Sequence, residues 1–192
     1  MSLAAAGAEI EEARRLFLTG NYARCLDLAR EAVVEKPYSE DWQLLLTDSL
    51  LTLGRYPEAR VAVTNALSRG YANIRLRWLA REVFLSNGQT EAAGEVVDQI
   101  LQLAADSRGA YRDAGALVAV GRAALLKGAE PRRVLDRLYN AARKADPRSR
   151  EAYLAGGELA LEKHDFALAA KTFQEGLEKL PDDPDLVCGL AR

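Results

Sequence analysis

The chain has 192 residues, 49% of them hydrophobic and 28% charged, with only six prolines, so it holds ample material for a core and no tract of disordered composition. A formal charge of −2 argues against a nucleic-acid partner, because polyanion binders carry a basic patch or stripe. No run approaches the roughly 18 consecutive apolar residues of a membrane span, and Met1–Glu9 lacks the basic start of a signal peptide. Together these features predict a cytoplasmic protein with no membrane partner.

Along the chain a glycine recurs at a constant interval, at Gly20, Gly54 and Gly88. Gly20-Asn21-Tyr22 and Gly54-Arg55-Tyr56 are alike, a small residue follows five places on (Cys25, Ala59, Ala93), and a small or apolar one twelve places on (Ala32, Ala66, Ile100). Such a period exceeds one helix or hairpin and predicts stacked helix-turn-helix units, each burying its apolar face on the next. Pro37 is placed to close the second helix of the first unit; Tyr71 and Ala105 stand at the equivalent positions later.

Gly128 lies six places past the next step of that interval, which predicts a longer inter-repeat loop over Ala105–Ala110. From Gly128 to His164 the step is longer than the period by two. Gly128-Ala129-Glu130-Pro131 accounts for both as a lengthened turn with proline at the first helical position. Leu135, Tyr139, Ala142 and Pro147 then fall in step, and a fifth unit carries Phe166, Ala169, Phe173 and Pro181, with His164 in place of the turn glycine. Asp183-Pro184 reads as an N-cap and first helical residue of a short apolar helix. An array normally ends in a helix with a polar outer face, so this ending predicts that the chain is part of a longer protein.

These landmarks resemble the tetratricopeptide-repeat family over nearly the whole length. The resemblance implies an all-α, right-handed superhelical solenoid forming one domain over 1–192. Its repeats would run about 6–39, 40–73, 74–107, 114–149 and 150–183, with a partial terminal helix at 184–192.

The two cysteines fit the same reading. Cys25 stands where other repeats carry alanine, as a small core filler, and a bridge to Cys188, near the other end of the array, is geometrically implausible. Enzyme motifs are absent: no phosphate loop, no Gly-x-Ser-x-Gly elbow and no His-Glu-x-x-His, and a single histidine excludes any site needing two. Glu162-Lys163-His164-Asp165 mixes an acid, a base and a metal ligand, but His164 reads as a turn residue and Asp165 as a cap. The expectation is a non-catalytic protein with no cofactor and no metal.

In the family, the first helix of each repeat lines the inner wall. Ten places before each turn residue stand Ile10, Leu44, Trp78, Val118 and Leu154; six places before stand Arg14, Asp48, Glu82, Arg122 and Glu158. Positions four apart share a helical face, so an apolar and a charged row run side by side, a pattern that grips a peptide or helix. The alternative is that the apolar row packs between neighbouring first helices. The concave-face candidates are Leu44, Asp48, Arg75, Trp78, Glu82, Val118 and Arg122, with Trp78 the leading anchor. Some relatives clamp acidic chaperone tails through lysine, asparagine and arginine; here those places hold Ile10, Arg14, Leu45, Arg75 and Leu79, which excludes that clamp although Arg75, Arg77 and Arg81 favour an acidic segment.

The partner is expected to be a protein or peptide, with the chain monomeric or weakly dimeric through its C-terminal end. An alternative is an accessory module of a larger enzyme. Gly54-Arg55-Tyr56-Pro57-Glu58-Ala59 and the stretch from Lys163 to Ala170 look like repeat arrays that precede a zinc-peptidase-like domain in some bacterial proteins.

Overall fold

The computed structural model describes residues 3–69, 73–106 and 111–192, and no strand occurs among them. Tyr71 and the part of the expected loop at 107–110 lie outside the described residues. In chain order the helices are α1 (Leu3–Leu18), α2 (Tyr22–Glu35), α3 (Glu40–Thr52), α4 (Tyr56–Ser68), α5 (Ile74–Ser86), α6 (Thr90–Asp106) and α7 (Ala114–Leu126). There follow α8 (Pro131–Val134), a π-helical turn (Leu135–Tyr139), α9 (Asn140–Ala145), α10 (Arg150–Glu162), α11 (Phe166–Lys179) and α12 (Pro184–Leu190). The chain groups into two compact units, Met1–Gln99 and Ile100–Arg192.

One backbone device makes the five turns between the two helices of each repeat. Gly20, Gly54, Gly88 and Gly128 have φ of 82°, 70°, 73° and 84°, and His164 adopts the same left-handed conformation at 59°. The residue after each donates its N–H five residues back: Asn21 to Leu16, Arg55 to Leu50, Gln89 to Phe84, Ala129 to Ala124 and Asp165 to Ala160, at 2.8–3.0 Å. These bonds satisfy carbonyls that a helix end leaves orphaned. The glycine period is therefore the period of a positive φ, and His164 holds that conformation with a Cβ that disfavours it.

Side-chain caps start α5, α7, α11 and α12. Asp165 accepts from the Leu168 N–H at 3.0 Å, and Asp183 accepts from the N–H groups of Asp185 and Leu186 at 3.1 and 3.0 Å. Asn73 and Asp113 cap α5 and α7 in the same way. Asp183 does more than cap: it is 9% exposed, and its other oxygen accepts from Arg150 Nε at 2.6 Å.

In the unit Met1–Gln99 the second helices contribute small core residues. Cys25, Ala29, Ala59, Val63 and Ala66 are buried in one cluster with Trp42, Leu46 and Leu50 of α3, and Ala93 and Val97 of α6 are buried as well. Ser49 donates to Cys25 Sγ at 3.3 Å. Burial, the largest influence, pushes the Cys25 thiol up, Ser49 lowers it and Asp48 raises it further.

The unit Ile100–Arg192 uses the opposite division of volume. Seven residues before their turns, the first helices carry Gly121 and Gly157, and the second helices fill that space with the buried rings of Tyr139 and Phe173. A Cβ on Gly121 would lie 2.4 Å from Tyr139 Cε1, and one on Gly157 2.4 Å from Phe173 Cε1 and Cζ. Gly189 of α12 meets the same Phe173 ring at 2.6 Å. Burying one such ring contributes about 1.5–3 kcal/mol.

This unit also corrects the placing of the two added residues. Only one is in the turn, where α8 begins three residues after Gly128 whereas Tyr22, Tyr56, Thr90 and Phe166 follow their turn residues by two. The other is in the helix. Paired core residues are four apart in Cys25/Ala29, Ala59/Val63, Ala93/Val97 and Ala169/Phe173, but five apart in Val134/Tyr139. The π turn takes up the difference through an Asn140 N–H bond to the Leu135 carbonyl, so Tyr139 still faces the core.

Candidate functional site

In the first unit α3 packs against both α1 and α5, so the three first helices present their rows side by side. Ile10 and Leu44 are partly exposed and pack on the unit's core. Trp78 is partly exposed as well, with the Arg81 guanidinium 5.2 Å from its ring centroid, within cation–π range. Arg81 also pairs with Glu82. The chain's other tryptophan, Trp42, is 4% exposed and belongs to the core.

The charged row is braced across helices. Asp41, in the first turn of α3, receives Arg14 of α1 at 2.8 Å and Arg75 of α5 at 3.5 Å, and Glu40 approaches Arg75 at 3.6 Å. Arg75 is thus an inter-helix brace in addition to any contact it offers outward. Asp41 is absent from the sequence candidates, yet its signal was available: it stands one repeat period before Arg75, so the same register position carries opposite charges in adjacent repeats.

In the second unit Val118 is 1% exposed and packs in the core beside Tyr139, so as a surface candidate it is corrected. α10 packs directly on α7 there, and Leu154 at the same position of α10 is partly exposed. Arg122 is partly exposed and reaches Glu158 at 3.8 Å, while Leu154 packs beside Tyr153 and Phe173. The structure thus brings Leu44, Asp48, Arg75, Trp78 and Glu82 onto the first helices of one unit and leaves Arg122 on the other.

No group of three or more metal-binding side chains occurs among the described residues, and no described helix is long and apolar enough to cross a membrane. His164, the single histidine, lies edge-on to Phe166 at 6.1 Å in its turn.

No family model and no curated protein matches the chain. Solved structures do. A thermophilic TPR protein of Thermus thermophilus, TTC0263, superposes with a TM-score of 0.67 at 20% identity, covering 96% of each chain. The fold is that of the tetratricopeptide repeat (TPR). YrrB, described as a TPR protein with an unusual peptide-binding site, matches at TM-score 0.50 and 17% identity over 96% of this chain and 91% of its own. Human IFIT1, solved as a dimer with m7Gppp-AAAA, matches at 0.65 and 16% identity over 96% of this chain and 44% of its own. In TPR terms α1, α3, α5, α7 and α10 are first helices, and α2, α4, α6, α8–α9 and α11 are second helices.

Proposed function

We propose that the protein is a non-catalytic interaction scaffold that holds a peptide or helix of a partner protein on the first-helix face of the unit Met1–Gln99. The observation carrying this reading is the contrast between the two tryptophans. Trp42 is absorbed by the core, whereas Trp78 stays partly exposed with the Arg81 guanidinium 5.2 Å from its ring centroid. A large aromatic of this kind is a typical interface anchor. Leu44 supplies an apolar neighbour, and Asp48 and Glu82, equivalent in adjacent repeats, supply carboxylates for orientation. The peptide-binding description of YrrB, on the same fold, is consistent with this use.

The test uses the whole chain as bait beside its Trp78→Ala, Glu82→Ala variant, with the captured protein then purified and titrated. Affinity at least tenfold weaker for the variant, with its helical content retained, supports the reading. Equal affinity removes this face from the function.

A further inference from the structure

A second surface lies on the exposed side of the fourth repeat's second helix, in the unit Ile100–Arg192. In the unit Ile100–Arg192 several cations have close carboxylate partners: Arg122 with Glu158, Arg143 with Glu175, Arg150 with Asp183 and Asp185, and Lys163 with Glu162. Arg133, Arg137, Lys144 and Arg148 are all exposed, and none has an ion-pair partner among the described residues. Arg132 beside them is 87% exposed and only 4.0 Å from Asp136, at the limit of pairing. The segment Pro131–Ala145 therefore carries five basic residues against one acid, in a chain whose net charge is −2.

The π turn contributes to this patch. Its extra residue goes to the surface, where Asp136 and Arg137 are both exposed between the buried Val134 and Tyr139. Arg133 and Arg137 are about one turn apart, and Lys144 follows roughly two turns on, a row of about 16 Å at helical rise.

We infer that this row docks an acidic segment of a partner protein whose carboxylates repeat about once per helical turn. Spacing alone would also suit phosphates, but the helix's one aromatic, Tyr139, is buried, so the patch offers no stacking platform of the kind single-stranded nucleic acid uses. Exposed pairs of this type are individually weak and screened by salt. The association should be shallow, fast and salt-sensitive.

The probe is fluorescein-labelled poly-L-glutamate, followed by anisotropy with the full chain at 25 mM and 300 mM salt. Binding at low salt should weaken at least tenfold at high salt. It should weaken at least tenfold in Arg133→Glu, Arg137→Glu and separately in Lys144→Glu, Arg148→Glu, persist in Arg133→Lys, Arg137→Lys, and be unchanged in Trp78→Ala. Circular dichroism of each variant shows that it is folded, and the second pair keeps the test open should the first unfold. Equal binding by the folded charge-reversed variants, or tighter binding of a poly-uridine probe than of poly-glutamate, overturns the proposal. Because Trp78→Ala probes the other face, the two readings fail independently.

Discussion

The ring of Phe173 occupies the space that a side chain on Gly157 would need, since a Cβ at that glycine would stand 2.4 Å from two of its atoms. Gly157→Ala gains helix propensity of about 0.5–1 kcal/mol. It must also push aside a buried ring that Gly189 of α12 approaches as well. Overpacking of about 1–3 kcal/mol outweighs the gain, so the variant should be destabilised. Gly94→Ala has the opposite sign: nothing lies within 4 Å of its Cβ on α6, leaving only the propensity gain. Urea denaturation of both variants checks the pair.

The π turn should be removable. Deleting Asp136 restores the four-residue spacing of the other second helices, so the variant is expected to stay folded with a stability loss within about 1 kcal/mol. Deleting Val61 from α4 instead rotates Val63 and Ala66 out of the core, at a cost of several kcal/mol typical of lost core side chains. Thermal unfolding by circular dichroism separates the two.

How far the sequence carried the fold follows from these contacts. The glycine period announced the turns because a positive φ is a local demand that glycine meets cheaply, and His164 was legible only from its place in the period. The π turn was not legible: a residue added inside a helix and one added to a turn lengthen the chain alike. The same holds at the candidate site. Spacing put Trp78 and Val118 at equivalent positions, yet one is partly exposed and the other buried, since spacing along a helix fixes a face and not the depth of packing on it. The Asp41 brace was within reach of the repeat register, because Asp41 holds the position that Arg75 holds in the next repeat.

Alkaline conditions should act through Tyr139. Burial is the largest influence and pushes its phenol up to about 12, with Arg122 lowering it and Glu158 and Glu162 raising it. The unfolded chain ionises near 10, so the stabilisation is complete below about pH 10 and is lost as pH rises through the folded value. Relative to Tyr139→Phe, the parent should lose about 2 kcal/mol between pH 8 and pH 11.5. Denaturation of both proteins at the two pH values measures the difference.

The two thiols should react unequally. Cys188 is exposed, whereas Cys25 is buried with its thiol pushed up by burial and bonded by Ser49. A thiol reagent should modify one cysteine per native chain and two in denaturant, since the thiolate is the reactive form. Modification of both in the native protein would show that the α2–α3 core opens.

The most direct test of the interaction face is tryptophan fluorescence. In a Trp42→Phe variant, Trp78 is the only emitter, and titration with the captured partner should shift its emission to shorter wavelength as the ring leaves water. The same titration with Trp78→Phe should show no shift and at least tenfold weaker binding. A partner that binds with full affinity while the Trp78 emission stays unchanged would contradict the assignment of this face.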